Sequence, residues 1–198
     1  DGFARSVKAA AIKATTLATP VAGSIVPGTN GVKLASFEFN ADSSGEDVRV
    51  TAVTVTDTLG GAGGAYADIT NLVMKDASGA QITTSSSTAT NANTVTFTFT
   101  NPIVVSRTAT TVVHLYGDIP SGVVVGTQTH TYKIAAAGNV TATGKDTGNT
   151  IATPTVAGSG QAMTIVSGGN LNIATDSGSG KTPSLAQIVT INAIDGVY

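Results

Sequence analysis

The chain has no cysteine and no tryptophan, and charged residues make up only 11% of its 198 residues. Without cysteine, disulfides, thiolate metal sites and a cysteine nucleophile are excluded. Without tryptophan, and with aromatic residues at 5%, a module that stacks on sugar rings is disfavoured. A net charge of -2 gives no basic footprint for nucleic acid. Because no apolar run is long enough to cross a bilayer, we expect no membrane span.

Motifs that would support catalysis are also missing. No serine lies in a G-x-S-x-G elbow, and the two histidines, His114 and His130, both fall inside predicted strands. The segment Gly178–Thr182 ends like a phosphate-binding loop, but Thr175 stands where that motif needs its first glycine. We therefore predict that the protein is not an enzyme and uses no organic cofactor. Each histidine is expected to be hydrogen-bonded or to face solvent.

Threonine alternating with apolar residues is abundant. The clearest run is Thr94–Thr100, in which valine and phenylalanine occupy one side of an extended chain and threonine the other. The same period recurs at Val48–Thr51, Thr54–Thr56 and Thr127–Tyr132. A period of two is typical of a strand with one buried and one hydrated face, and β-branched residues suit that surface.

Turn signals separate these runs along most of the chain, as at Pro27–Gly31, Asp76–Gly79 and Gly117–Gly122. Hydrophobic residues amount to 41%, which is enough for a core and argues against disorder. The spacing predicts an all-β fold, an immunoglobulin-like or jelly-roll-type β-sandwich of about ten strands.

Three irregularities are expected within those strands. The apolar phase shifts between Leu34 and Phe37 and again at Ala52–Val53, and each shift predicts a bulge or a change of sheet. Asn101–Pro102 is expected to end the strand that begins at Thr94.

The two ends of the chain differ from its middle. Residues 1–25 are interpreted as an N-terminal arm, either a short amphipathic helix or an extended strand. Residues 26–198 are interpreted as the β-sandwich domain, with an apolar strand at 185–198 behind a linker at 175–184. A terminal strand of this kind either folds back on its own domain or inserts into a neighbour's sheet edge. If the arm is exchanged, the inserted side chains are Val7, Ile12, Leu17, Val21 and Ile25.

A mild cluster of acidic residues offers a candidate calcium site. Asp42 and Glu46 bound a predicted turn and Asp47 begins the strand that follows it, and calcium is bound by carboxylate and carbonyl oxygens. Ordinary turn chemistry, in which aspartate bonds its own backbone, is the competing explanation.

Several segments resemble an immunoglobulin-like module found in prokaryotic surface proteins. They are Phe37–Ala41, Glu46–Val50, Val53–Val55, Asp68–Leu72 and Gly117–Ile119. The resemblance covers roughly residues 32–135 and rests on core and turn positions. It implies an extracellular, cell-surface structural role and brings no catalytic residues with it. A short chain with an arm at each end differs from long multi-module surface proteins. It is more similar to a pilin or filament subunit that assembles by donor-strand exchange.

From these features we expect a secreted structural protein. Residue 1 is Asp rather than Met, which would fit removal of a signal peptide. The expected function is that of a subunit of an extracellular filament, pilus, tube or surface layer, a homopolymer joined by strand complementation. A monomeric cell-surface adhesin or ligand-binding module, in contact with a host or cell surface, is the alternative.

Overall fold

The structure, a computed structural model, describes residues 8–84 and 93–168. This part of the chain is all-β and contains eleven strands in two mixed sheets that pack as a sandwich. The predicted fold class is therefore confirmed. The strands are β1 (Lys13–Thr16), β2 (Gly23–Ile25), β3 (Val32–Asn40), β4 (Val48–Gly60), β5 (Thr70–Asp76), β6 (Thr94–Val105), β7 (Thr110–Asp118), β8 (Thr129–Lys133), β9 (Val140–Gly144), β10 (Thr155–Ala157) and β11 (Met163–Ile165). Short 3-10 turns occur at Tyr66–Asp68 and Ala137–Asn139.

The strands are divided between a sheet A and a sheet B. Sheet A has the order β10-β1-β3-β7-β5, and sheet B has the order β2-β11-β8-β4-β6, with β9 also paired to β4. β1 runs parallel to β10, and β2 runs parallel to β11. The first two strands therefore lie in different sheets, and residues 17–22 carry the chain from one sheet to the other.

Seven strands are connected in the order of an immunoglobulin constant-type sandwich. In chain order β1, β3, β4, β5, β7, β8 and β11 take positions A to G, which gives A-B-E-D in sheet A and C-F-G in sheet B. The other four strands are additions to this core. Because one fold hosts many functions, this order fixes the architecture alone.

The core lies between the sheets and is built from the inward positions of each strand. Phe37 and Phe39 of β3, Phe97 of β6, Leu72 of β5 and Leu115 of β7 are all almost completely buried. In β6 the neighbouring threonines are exposed, as the alternating sequence predicts.

The structure confirms both predicted bulges and corrects the expected end of β6. Register shifts occur between Lys33 and Ala35 and between Val50 and Ala52. The prediction that Asn101–Pro102 ends the strand is wrong, because β6 continues to Val105. Val50 pairs with Ile103 while Ala52 pairs with Thr98, so the proline lies in an unpaired bulge where it needs to donate no ladder hydrogen bond.

The N-terminal segment is extended where the structure describes it. Of the two alternatives for residues 1–25, the strand is observed at Lys13–Thr16 and again at Gly23–Ile25. β10 was not predicted, since a strand of three residues is too short to show a period. The predicted linker at 175–184 and the predicted terminal strand at 185–198 lie outside the described residues.

Candidate functional site

The candidate subunit interface is the slot that β1 fills between β3 and β10. β1 pairs antiparallel with β3, with Thr15 opposite Glu38, and parallel with β10. Ile12, Ala14 and Thr16 are buried on its inner side. The Ile134 N–H, on the chain just after β8, donates to the Thr16 hydroxyl at 3.2 Å, so this short strand also links the two sheets.

The backbone lies directly against a glycine at Lys8, before β1, and at Thr16, its last residue. A Cβ atom on Gly45 would lie 2.1 Å from the Lys8 carbonyl oxygen, and one on Gly158 would lie 2.0 Å from the Thr16 carbonyl oxygen. The Gly45 N–H donates to the Ala9 carbonyl at 3.1 Å, and the Ala11 N–H donates to the Ser44 hydroxyl at 3.1 Å. The slot thus fits the backbone of an extended segment closely at both of these positions.

The proposed donor residues fall in different environments. Ile12 is buried, Leu17 and Ile25 are half-buried, Val21 is 76% exposed, and Val7 lies outside the described residues. Sequence reasoning missed Ala14 and Thr16, which are buried on the same side as Ile12. The alternation Ile12-Ala14-Thr16 was the available signal. That a neighbour's arm takes this position stays a prediction.

The three acidic residues of the candidate calcium site have separate partners. Both Glu46 oxygens accept hydrogen bonds from the 146–147 turn, with the Thr147 hydroxyl at 2.6 Å. Asp47 accepts from the Arg107 N–H and lies 3.3 Å from the Lys145 ammonium. Asp42 donates its own N–H to the Asn40 side chain. Within residues 8–84 and 93–168 no three metal-ligating side chains converge, and calcium at this turn stays a prediction.

These contacts predict a loss of stability in acid. The pKa of Glu46 is lowered mainly by the Thr147 hydroxyl, that of Asp47 by the Arg107 N–H, and that of Asp76 by the Ser78 hydroxyl. Because the folded pKa lies below the ordinary value, 4.5 for Glu and 3.8 for Asp, the stabilisation is complete above that value and is lost as the pH falls through the folded pKa.

We therefore expect the melting temperature to be nearly constant between about pH 6 and 5 and to fall as the pH is lowered from about 5 to about 3. A Glu46→Gln variant should melt lower at about pH 6 and show a shallower dependence, since one of the titrating contacts has gone. A melting temperature that stays constant over this range would contradict the assignment.

A second cluster is buried between sheet B and the loop that follows β4. His130 of β8 is fully buried, and its Nδ1 lies 2.7 Å from Oδ2 of Asp57 on β4. Its Nε2 lies 3.8 Å from Oδ2 of Asp68, which also accepts the Ala65 N–H at 2.8 Å. The Tyr132 ring stacks on the imidazole, with centroids 6.4 Å apart. Burial, followed by the charge and hydrogen bond of Asp57, raises the pKa of Tyr132 well above its ordinary value.

The core of this cluster is the buried Asp57–His130 hydrogen bond. An Asp–His pair is the orienting half of a nucleophilic triad, but a triad needs a hydroxyl at the other ring nitrogen. Here that nitrogen faces the Asp68 carboxylate. The arrangement therefore links β4 to β8 through one buried hydrogen bond, and the 65–68 turn contributes the nearby Asp68 carboxylate, 3.8 Å from the ring nitrogen. His114, the other histidine, is half-buried and lies 2.9 Å from the Ser36 hydroxyl, and burial lowers its pKa.

The two ends of the sandwich differ in chemistry. The Glu46 end comprises residues 41–47, 105–109 and 145–148 and carries several charged side chains. The Val124 end comprises residues 26–31, 60–68 and 119–128, where Val124 is 78% exposed and Val125 is 36% exposed. The Gly28 N–H donates to the Ile119 carbonyl at 2.7 Å, and the Ala62 N–H donates to the Thr127 hydroxyl at 3.1 Å, so these loops form one surface.

Comparison with known proteins gives this chain no family. No family model matches it, and no curated protein matches it. Within residues 8–84 and 93–168 no helix has the length and hydropathy needed to cross a membrane. Function therefore has to be argued from the fold and its surfaces.

Proposed function

We propose that the protein is a structural subunit of an extracellular polymer whose copies are joined by strand complementation. The observation that carries the proposal is the slot between β3 and β10. Its occupant is a short segment near one end of the described chain, and its contacts are backbone hydrogen bonds and small buried side chains. A neighbour's identical segment would make the same contacts, which is how strand addition works in protein assemblies.

The placement of the outer segments supports a linear arrangement. Residue 9 lies at the Glu46 end, where its carbonyl accepts from Gly45, and the chain reaches residue 168 beside Val26 at the Val124 end. These ends are separated by the length of β3, which has nine residues and so spans about 30 Å. Contacts made from opposite ends join different surfaces of two copies, and such heterologous contacts form an open filament unless the rotation between copies closes a ring.

The composition of the surface is consistent with an extracellular setting. With charged residues at 11%, much of the described surface is polar through threonine and serine hydroxyls instead of ions. This hydroxyl-rich surface supports the proposed extracellular location.

Closing the slot with a disulfide should abolish the polymer. Thr15 and Glu38 are directly opposite across the β1–β3 ladder, so their Cα atoms lie about 4.5–5.5 Å apart, within the range of a disulfide. Because the chain has no cysteine, a Thr15→Cys/Glu38→Cys variant contains only this pair. It is oxidised as a dilute monomer, so that the bond forms within one molecule, and a non-reducing gel checks that it stays monomeric. We expect filaments of the wild-type chain in negative-stain electron microscopy, none for the oxidised variant, and filaments again after reduction.

The same images, recorded with and without a chelator, test the calcium prediction. Filaments lost in chelator would place calcium in the contact between subunits. Uniform monomers of the wild-type chain at every concentration and in both buffers would overturn the polymer.

The alternative function, a monomeric surface adhesin, is favoured by one observation. The Val124 end exposes two adjacent valines beside a glycine-rich loop at 60–64, and exposed apolar groups at loop tips are common in binding surfaces. In that case the concentrated protein stays monomeric, and a ligand or calcium raises its melting temperature.

A further inference from the structure

The outward face of sheet B is covered with threonine. In β6 the exposed positions of the alternating run are Thr94, Thr96, Thr98 and Thr100. Each is β-branched, so its hydroxyl and methyl are held in few orientations. Side chains at alternate positions of one strand repeat about every 6.6–6.8 Å, and neighbouring strands lie about 4.8 Å apart.

The neighbouring strands extend this pattern across the sheet. Thr96 lies opposite Thr54 of β4, and their hydroxyl oxygens are 2.8 Å apart. On the other side of β4, Thr58 lies opposite Thr131 of β8, and β9 adds Thr141, which is exposed. We call this surface, the outward face of β4, β6, β8 and β9, the threonine face.

The threonine face carries few charges. Among the described residues of its four strands, the charged side chains that point outward are Arg49, which is exposed, and Lys133, which is half-buried. The outward face of sheet A has a different composition: it presents Lys13, Lys33, Glu38, Lys75, His114 and Tyr116. There the Lys75 ammonium sits 4.7 Å from the centre of the Tyr116 ring. Because the two faces belong to one sandwich, the overall composition of the chain does not explain the difference.

We propose that the threonine face is a lateral interface that packs against the same face of a second copy of this chain. An isologous contact needs a surface that complements itself. A hydroxyl is both donor and acceptor, so a field of threonines can satisfy its own copy, whereas a field of like charges repels it. The twist of a sheet is no obstacle, since two twisted sheets pack face to face at about -30°.

The size of the face fits a weak contact. β4 has thirteen residues, which corresponds to a length of about 40 Å. β8 and β9 both lie on the side of β4 that faces away from β6, so the face is three strands wide, or about 14 Å. The resulting area of roughly 550 Å² from each partner, about 1,100 Å² in total, is just above what a specific interface needs.

This inference deepens the proposed function, on which it rests for its setting, because the face would join filaments side by side. The contact between two threonine faces is measured first in a chain that cannot form filaments. The oxidised Thr15→Cys/Glu38→Cys chain cannot exchange β1, so its self-association in sedimentation velocity reports surface contacts alone. We expect a monomer–dimer equilibrium for this chain.

Charge placed on the face should break that dimer. In the same disulfide-closed chain, Thr96→Lys places a positive charge on the threonine face of both partners. Because these like charges repel, we expect the dimer dissociation constant to rise at least about tenfold. Thr110→Lys is the matched control, because Thr110 is an exposed strand threonine on sheet A, and it should leave the dissociation constant unchanged. Circular dichroism and melting temperature establish that each variant is folded.

Filament width is the second measurement. With exchange permitted, Thr96→Lys should convert paired or bundled filaments into single ones, and Thr110→Lys should not. A closed chain that stays monomeric at high concentration, or a Thr96→Lys variant that associates like its parent, would overturn the threonine-face interface. If the threonine-face dimer is absent but single filaments form, the interface is overturned and the polymer is still supported. If the closed chain forms dimers but the wild-type chain forms no filaments, the interface is supported and the polymer is overturned.

Discussion

Replacing His130 with alanine is expected to lower the free energy of unfolding by about 3–5 kcal/mol. The imidazole is fully buried between Asp57 and Asp68, and Asp57 itself is only 2% exposed. Without the histidine, the buried Asp57 carboxylate keeps its desolvation cost and loses its 2.7 Å hydrogen bond to the imidazole, which leaves the Tyr132 hydroxyl as its side-chain partner. One carboxylate oxygen, Asp57 Oδ1, already has no hydrogen-bond partner among the described residues, so the remaining structure offers little compensation.

Thermal unfolding followed by circular dichroism measures this loss. For a domain of this size, about 3–5 kcal/mol corresponds to a fall in melting temperature of roughly 6–20 °C. His114→Ala is the matched control, because His114 is also a strand histidine with one hydrogen bond but is half-buried on an outer face. We expect it to cost about 1 kcal/mol. Equal losses for the two variants would show that the His130 cluster does not hold the fold together.

Gly158→Ala should both destabilise the chain and remove the filaments. Gly158 has a φ of +81°, and an added Cβ would lie 2.0 Å from the Thr16 carbonyl oxygen. The left-handed conformation costs a residue with a side chain about 1–2 kcal/mol, and overpacking adds about 1–3 kcal/mol. Since the obstructing atom is backbone, relief requires β1 to move out of its slot.

The matched control is Gly148→Ala. Gly148 has a similar φ of +71°, but no atom lies within 4 Å of the added Cβ. It should therefore lose only the conformational part, about 1–2 kcal/mol, and should keep its filaments. If Gly158→Ala assembles as well as Gly148→Ala does, the β1 slot is not where subunits join.

The strands of the core were predictable because one face of each is buried and the other is wet. Thr94–Thr100 shows a clean period of two in the sequence, and its structure follows that period. The bulges were also visible, since an extra residue shifts the apolar phase at Leu34–Phe37. β10 has three residues and left no period to read.

The candidate sites were less predictable, because they depend on contacts between residues far apart in sequence. His130 and Asp57 are 73 positions apart and meet only because β4 pairs with β8. Glu46 looked like a calcium ligand in its own turn, but its partners lie 100 and 101 positions away in the 146–147 turn. The threonine face is different again. The sequence shows the alternating threonines of each strand separately, and the pairing of the strands brings them together into one surface.

The central claim, that copies exchange the β1 segment, is tested most directly by mixing two single-cysteine chains. Thr15→Cys and Glu38→Cys chains, refolded together and oxidised, cannot form this disulfide within one molecule. A matched pair on strands that are not expected to exchange, Glu38→Cys with Val112→Cys, corresponds to opposite residues of β3 and β7. The account predicts abundant mixed dimers for the first mixture and background levels for the second on non-reducing gels. Background levels in both mixtures would contradict it.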